Sequence, residues 1–329
     1  MELTKSPADF ASAHADNLFS FVDVDETSLQ ELIYYNANDE MVAIRRYVGC
    51  NSIDTSPKSI LLRMLSPAPL ANITQCGFLR PEGRDAMLSL EYDGGEGLTP
   101  MILFTSSHHN HTANSIMGSW EQWRTIAPGE CDEVAFCLSE GATIVANVSA
   151  GGRSQMLCSF TATTKGVVLF ALSADDILSR APLAADSSAF ELRFAIGGRL
   201  CALIKYRLRS PHHSDVRLAW LNREGGISYH TFRLAERRLH RSSVECASSS
   251  GREVVSAESW VEQTLQSEVL SQAQTDQLSE LFSSANLWIC SNEGIEPQIL
   301  LSSELLLEGE GARRITLSVR SAKSLCVSR

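Results

Sequence analysis

Two aspartates in a DxDxT pattern are suited to phosphoryl-transfer chemistry. Asp23 and Asp25 directly follow the apolar run Leu18–Val22. In such a pair the first carboxylate can attack phosphorus and form an aspartyl phosphate, while the second protonates the leaving alcohol and later activates water. A divalent cation must offset the charge of carboxylate and phosphate together, so this chemistry implies Mg²⁺ as a cofactor.

A second apolar run, Met101–Phe104, ends in hydroxyl side chains. It is followed by Thr105 and Ser106, and then by Ala113–Trp120, in which apolar residues recur with helical spacing. A hydroxyl group and the backbone N–H groups at the start of a helix can together bind phosphate. On adjacent parallel strands, this segment and the aspartates would face one pocket at the carboxyl ends of the strands.

The surrounding segments predict an α/β fold with a parallel-sheet, Rossmann-like core. Leu18–Val22 and Met101–Phe104 have the short, wholly apolar pattern of strands that are buried on both faces of a parallel sheet. Further along, Ser259 and Glu262 have capping-box spacing, which predicts a long helix that reaches Ala273.

The sequence changes character between these core segments. Ile144–Val148 and Phe190–Phe194 each lead into a Gly-Gly-Arg turn and then another apolar run, which is a hairpin pattern. We therefore predict three parts. Residues 1–127 form the first part of the core, residues 128–235 a large antiparallel β-rich, cap-like insertion, and residues 236–329 the rest of the core with the long helix.

Three segments resemble successive signatures of the CTD-phosphatase/NLI-interacting family, a branch of the haloacid dehalogenase superfamily. They are Asp23–Thr27 (DVDET), Leu79–Pro81 (LRP) with the helix predicted after it, and Phe104–Ser107 (FTSS), in the family's order. The family includes nuclear phosphatases of phosphoserine peptides and the receptor subunit of the mitochondrial presequence translocase, which is a binding protein. The resemblance covers about residues 17–123 and implies a phosphatase-type fold.

The resemblance also implies roles for individual residues. Asp23 resembles the nucleophile, Asp25 the general acid and base, and Thr105 the residue that binds the phosphoryl group, with Ser106 beside it. Mg²⁺ would be held by the Asp23 carboxylate and the Asp25 backbone carbonyl.

The family also needs a lysine and an acidic pair around a later strand, and two placements are open. In the first, Lys165 precedes the strand Val167–Leu172, and Asp175 and Asp176 complete the metal site. In the second, which we favour, the β-rich region is an insertion and Leu287–Cys290 is the last catalytic strand. That strand has neither an aspartate at its end nor a lysine before it, which predicts a phosphatase-like domain that has lost catalysis.

These placements predict different functions. The favoured one is a catalytically degenerate, phosphatase-like scaffold or assembly factor in an organelle complex, such as an import machine or a maturing ribosome. The alternative is an active Mg²⁺-dependent phosphoserine/threonine protein phosphatase. The range of the family favours the mitochondrion over the nucleus or cytoplasm. Without the resemblance, the β-rich pattern alone would indicate a propeller-like interaction module.

Charge restricts the partners of the chain. Its 329 residues include 28 Lys and Arg against 39 Asp and Glu, a net charge of −11, which disfavours broad nucleic-acid binding and favours basic protein partners. A local basic patch, formed by Arg233, Arg237, Arg238 and Arg241, is the exception. Nine cysteines without a CxxC pair predict reduced thiols in an intracellular compartment. No apolar run reaches the roughly 20 residues of a membrane-spanning helix.

Three histidines follow the second apolar run. His109 and His111 form an HxH pair that could ligate a metal, and His108 precedes them. No second histidine motif accompanies the pair, so we interpret the segment as an exposed polar loop beside Thr105.

Overall fold

A computed structural model describes residues 1–180, 188–248, 251–291, 293–302, 306–308, 313–322 and 325–328. Strands make up most of the described secondary structure, and the described helices are few and short. The strands form five sheets in which nearly all neighbours are antiparallel. The predicted α/β fold with a parallel-sheet core is therefore wrong.

The first third of the chain forms an N-terminal sandwich of two sheets. The first sheet contains, in spatial order, β1 (Glu2–Lys5), β3 (Phe19–Val22) and β6 (Ile53–Thr55). The second contains β2 (Ala11–Ser12), β10 (Ile102–Thr105), β8 (Asp85–Tyr92), β4 (Gln30–Asn36) and β5 (Met41–Tyr47), with β9 (Gly97–Leu98) paired to β8. Phe19 and Phe21 alternate with more exposed residues in β3 and pack against Leu88 and Phe104 of the second sheet.

Two further sheets form a central sandwich. One contains β11 (Ser115–Ile116), β13 (Cys131–Leu138), β16 (Gly166–Ser173) and β7 (Gly77–Leu79). The other contains β12 (Glu121–Ile126), β18 (Arg199–Leu208), β17 (Ala189–Ile196), β14 (Thr143–Ala150) and β15 (Arg153–Thr161). Phe136 and Phe170 of the first sheet share a core with Phe194 and Ile204 of the second.

The two predicted Gly-Gly hairpins are confirmed in the central sandwich. The turns at 151–152 and 197–198 join β14 to β15 and β17 to β18. The glycines have φ angles of 56° and 78° in the first turn and 56° and 80° in the second. Tight hairpin turns require this left-handed backbone at both central positions, and glycine adopts it without strain.

The last third of the chain closes into a six-stranded β-barrel. The sheet contains, in order, β24 (Leu306–Glu308), β25 (Arg314–Ser321), β23 (Gly294–Leu300), β22 (Leu287–Ser291), β19 (Asp215–Leu221), β20 (Ile227–Ser248), β21 (Gly251–Gln266) and β26 (Leu325–Ser328). Pairing between β21 and β25 closes the barrel, which consists of β25, β23, β22, β19, β20 and β21. β24 and β26 are additional strands that pair with β25 and β21. The interior of the barrel is mostly apolar and includes Leu218, Trp220, Phe232, Leu265 and Leu317.

The helices are short: α1 (Lys58–Met64), α2 (Ala174–Arg180) and α3 (Gln272–Ser279), with 3₁₀ turns at Asp93–Gly95 and Glu280–Ser283. The long helix predicted from Ser259 is wrong, because that segment is β21. The capping box lies later, where the Ser271 hydroxyl and the Gln274 side chain cap α3. Within the described ranges, no helix is long and apolar enough to cross a membrane.

The predicted division of the chain at residues 127/128 and 235/236 is crossed by these elements. The central sandwich takes β7 from the first predicted part, and β20 runs through the second boundary. The three-part division itself stays a prediction.

Candidate interaction surface

The aspartates predicted to be catalytic lie in an exposed turn after β3. The Asp25 carboxylate accepts hydrogen bonds from the backbone N–H of Thr27 at 2.9 Å and from its hydroxyl at 2.7 Å. The side-chain and backbone hydrogen bonds from Thr27 lower the pKa of Asp25. Asp23 adopts a left-handed backbone with φ 53°. The DxDxT spacing therefore stabilises a local turn.

Thr105 and Ser106 lie in a different sheet from these aspartates. Thr105 ends β10, whose neighbours are β2 and β8, whereas Asp23 follows β3 between β1 and β6. Thr105 is fully buried, and Ser106 donates a hydrogen bond to the Gly225 carbonyl at 3.1 Å. The chain continues into β11 where a helix was expected. Among the described strands, β3 and β10 are not the adjacent parallel strands that the phosphatase resemblance requires, so that resemblance is wrong.

The second acidic pair holds loops against α2. Asp175 accepts a hydrogen bond from the Gly129 backbone N–H at 2.9 Å. Asp176 accepts one from the Cys76 backbone N–H at 2.7 Å and pairs with Arg180 at 2.7 Å. Both carboxylates thus have structural partners at the start of a helix, where negative charge is favourable.

The lysine of the predicted site, Lys165, has partners of its own. Lys165 lies 2.7 Å from the carboxylate of Asp9 and donates to the Met101 carbonyl. In the described part of the chain, no three or more His, Cys, Asp or Glu side chains are grouped so that they could hold a metal ion. The catalytic and phosphate-binding roles given above stay predictions, and so does the Mg²⁺ requirement. The parallel sheet on which they were based is not present among the described strands.

A long hairpin extends from the barrel, and we call its residues 236–264 the arm. β20 pairs with β19 only over Ile227–Arg233, and then with β21 as far as Ser248. From Glu236 to Ser248 the outer edge of β20 pairs with no described strand. At about 3.4 Å per residue, this open edge is roughly 40 Å long.

One face of the arm combines arginines with an exposed leucine. Arg237, Leu239 and Arg241 alternate along β20 and therefore point to the same side, and Leu239 is 77% exposed. Val261 on β21 is the cross-strand neighbour of Leu239. Neither Arg237 nor Arg241 forms an ion pair with a described residue. The sequence predicts a basic patch of Arg233, Arg237, Arg238 and Arg241, but Arg238 lies on the opposite face and pairs with Glu236 at 2.7 Å. The place of the arginines on a hairpin was not predicted.

The opposite face of the arm is held by ring contacts. His240 stacks on Trp260 with centroids 5.4 Å apart and an 8° angle between the planes. The guanidinium of Arg320 lies over the same indole ring, 5.7 Å from its centroid. These contacts tie the base of the arm to β25 and leave the Arg237–Leu239–Arg241 face to solvent.

Partly buried ion pairs fix the barrel to the central sandwich. Arg217 of β19 donates to the Cys131 carbonyl at 3.0 and 2.8 Å and lies 3.1 Å from the Glu130 carboxylate. Arg209 bridges Glu130 at 2.7 Å and Asp215 at 2.9 Å. Burial acts to raise the pKa of Glu130, but Arg217 and Arg209 lower it overall. The barrel, and with it the arm, is thus anchored to the central sandwich.

A cleft of about 670 Å³ lies beside this junction. Glu130 and Arg217 line it, together with Tyr229 and the thiol-bearing residues Cys131 and Cys290. Burial raises the pKa of both thiols, that of Cys290 to about 12. The thiols are therefore protonated near neutral pH, and the charged side chains pair with each other.

Comparisons with known proteins do not place the chain in a family. No family model matches the sequence, and no curated protein matches it. A chain in the virion of a native gene transfer agent (GTA) particle has 16% identity and a TM-score of 0.22, and the match covers 36% of this chain and 98% of that one. A chain in the tail of an empty GTA particle has 17% identity and a TM-score of 0.24, with the same coverage. These scores are too low to indicate a shared fold.

Proposed function

We propose that this chain is a structural, protein-binding subunit whose arm docks on an acidic surface of another protein chain. The observation that carries the proposal is the unpaired Arg237–Leu239–Arg241 face on a protein of net charge −11. The scaffold role expected from the sequence is kept, without its phosphatase framework. The organelle location was inferred from the resemblance alone and stays a prediction.

The arm has two means of binding, the open edge of β20 and the exposed side chain of Leu239. Unpaired backbone N–H and C=O groups on a strand edge can pair with an added strand of a partner. Leu239 supplies an apolar anchor between two arginines, and a buried apolar centre rimmed by arginine is typical of interface hot spots. Two arms would repel each other because their arginines would lie opposite one another, so an acidic partner is favoured.

The partner to which we commit is a second copy of this chain. Its exposed turn after β3 carries Asp23, Asp25 and Glu26, and the neighbouring Leu29 is 54% exposed. Asp23 and Glu26 form no ion pair with a described residue. This surface complements the arm in charge and offers an apolar contact for Leu239. Because arm and turn are different surfaces, the contact is head-to-tail and builds rings or filaments.

The charge reversal Arg237→Glu/Arg241→Glu should abolish this association. We expect the natural chain to sediment as an oligomer at about 0.05 M salt and to dissociate at about 0.5 M salt, because ions screen exposed charges. The arm variant should sediment as a monomer at both salt concentrations. Analytical ultracentrifugation measures both results.

A matched control changes the same charge elsewhere. Arg153 and Arg199 are exposed arginines next to the two glycine turns, and Arg153→Glu/Arg199→Glu should associate like the natural chain. Mixing the arm variant with Asp23→Arg/Glu26→Arg should restore association in trans. A natural chain that is monomeric at low salt, or a control variant that dissociates equally, would reject the arm as the docking element.

A further inference from the structure

A small pocket lies where the N-terminal sandwich meets the barrel. It has a volume of about 130 Å³ and is lined by His14, Ser106, His108 and Arg223, with Asn286 on the barrel side. A water molecule takes up about 30 Å³ in the liquid, so the pocket has room for a small ion.

Two histidines form one wall of this pocket. The rings of His14 and His108 stack with their centroids 4.3 Å apart and an angle of 11° between the planes. No described residue forms a side-chain hydrogen bond with either ring. Arg223 and the nearby Lys58 form no ion pair with a described residue. His14, His108 and Arg223 thus bring side-chain donors without described partners to one pocket, in a chain whose net charge is −11.

The charged groups around the two rings all lower the pKa of His14 or of His108. Burial lowers the pKa of His14, and His108 and Lys58 lower it further. Burial also lowers the pKa of His108, followed by the effects of His109, Arg223 and Lys58.

Two acids close to these residues, Glu224 and Glu280, do not line the pocket. The Glu224 carboxylate lies 3.7 Å from His111, and Glu280 interacts electrostatically with Arg223. Two stacked imidazoles beside an arginine and a lysine disfavour each other's charged forms, and a bound anion would favour them.

We propose that this pocket binds a tetrahedral oxyanion, such as sulfate or a phosphoryl group, between His14, His108 and Arg223. The imidazole N–H groups and the guanidinium supply charge-assisted hydrogen bonds to its oxygens. The Ser106 hydroxyl already donates to the Gly225 carbonyl, so it contributes only to the wall. Binding of the anion is coupled to proton uptake by the two rings, because a bound negative charge favours their charged forms. The proposal does not depend on the arm.

Sulfate is the probe for this coupling, because it stays dianionic over the whole pH range in which histidine titrates. Titration calorimetry at constant ionic strength should show sulfate binding roughly tenfold tighter at about pH 5.5 than at about pH 8. The heat at the lower pH should depend on the ionisation enthalpy of the buffer, which reports proton uptake. His108→Gln and Arg223→Gln should each weaken binding by roughly tenfold at the lower pH.

Two comparisons sharpen the test. His213→Gln removes an exposed histidine outside the pocket and should leave sulfate affinity unchanged. O-phosphoserine that binds as tightly as sulfate would identify a phosphoryl group carried on a larger molecule, and weaker binding would identify a free ion; both outcomes support the site. Equal sulfate affinity in His108→Gln and the natural chain would overturn the proposal, as would affinity independent of pH or acetate binding as tightly as sulfate.

Discussion

Replacement of Arg84 by methionine is expected to lower the free energy of unfolding by about 3–5 kcal/mol. Arg84 lies 2.6 Å from Glu133, and their side chains are 2% and 0% exposed. Methionine keeps much of the apolar stem but leaves the Glu133 carboxylate buried without its cation. Tyr229 and the Leu70 backbone N–H still donate to it, at 3.0 and 3.2 Å. Urea unfolding followed by tryptophan fluorescence measures the change.

The effect should depend on pH in a definite direction. Burial already raises the pKa of Glu133, while Arg84 acts to lower it. Without Arg84 the carboxylate takes up a proton more readily, so the destabilisation should shrink as the pH falls. The double variant Arg84→Met/Glu133→Gln should recover much of the loss, because it removes the uncompensated charge.

An exposed ion pair provides the control for this prediction. Arg46 lies 2.7 Å from Glu31, but their side chains are 64% and 40% exposed. Arg46→Met should therefore cost less than about 1 kcal/mol. Equal losses in Arg84→Met and Arg46→Met would show that burial of the Arg84–Glu133 pair adds nothing to stability.

The hairpins of the central sandwich could be predicted because their signal is local. Consecutive glycines at 151–152 and 197–198 allow the left-handed backbone of a tight turn, and the alternating residues on either side show which face is buried. Neither feature depends on distant parts of the chain. Both hairpins were therefore recognised from the sequence.

The orientation of the apolar runs could not be predicted in this way. All four residues of β10, Ile102–Thr105, are buried, as a wholly apolar run implies. Ile102 and Phe104 face the N-terminal sandwich, while Leu103 packs against the central one. Burial on both faces thus comes from stacked antiparallel sheets, and an apolar run has the same pattern in either arrangement.

The missing helix has a similar explanation. Val261, Leu265 and Val269 are spaced by four residues, which places them on one face of a helix and equally on one face of a strand. In β21, Leu265 points into the barrel interior. The segment forms a strand because it pairs with β20 and β25. These partners lie elsewhere in the sequence, so the segment alone does not reveal the pairing.

The D-x-T spacing of the predicted site also has a local structural explanation. Asp25 and Thr27 satisfy each other in a turn, a purely local reason for a D-x-T spacing. The basic residues around Arg237 were visible as a patch. Their importance follows only from the open edge of β20, which depends on where β19 ends.

Acid should weaken the fold through His230, which lies in the barrel interior. It is the cross-strand neighbour of Leu218 in the pairing of β19 with β20. Its ring packs edge-on against that of Phe232, with the ring centroids 4.9 Å apart. Burial, followed by Arg217 and Arg209, lowers the pKa of His230 from 6.5 to about 3. The ring is therefore neutral in the folded chain near neutral pH.

The sign of the pH effect follows from this lowered pKa. Below pH 6.5 the unfolded chain binds a proton at His230 that the folded chain does not bind, so stability falls with pH until about pH 3. Each pH unit in this window costs about 1.4 kcal/mol. Between about pH 7 and pH 5, His230 alone should lower the free energy of unfolding by about 2 kcal/mol.

His230→Gln isolates this contribution, because glutamine stays neutral at every pH. Other groups also titrate, including His14 and His108, so the quantity to compare is the change in unfolding free energy between about pH 7 and pH 5. This change should be about 2 kcal/mol smaller in His230→Gln than in the natural chain. The matched control is His213→Gln, which replaces an exposed histidine outside the barrel interior and should keep the natural pH dependence. An unaltered slope in His230→Gln would mean that the barrel admits the proton, with water or a rearranged carboxylate such as Glu130 compensating the charge.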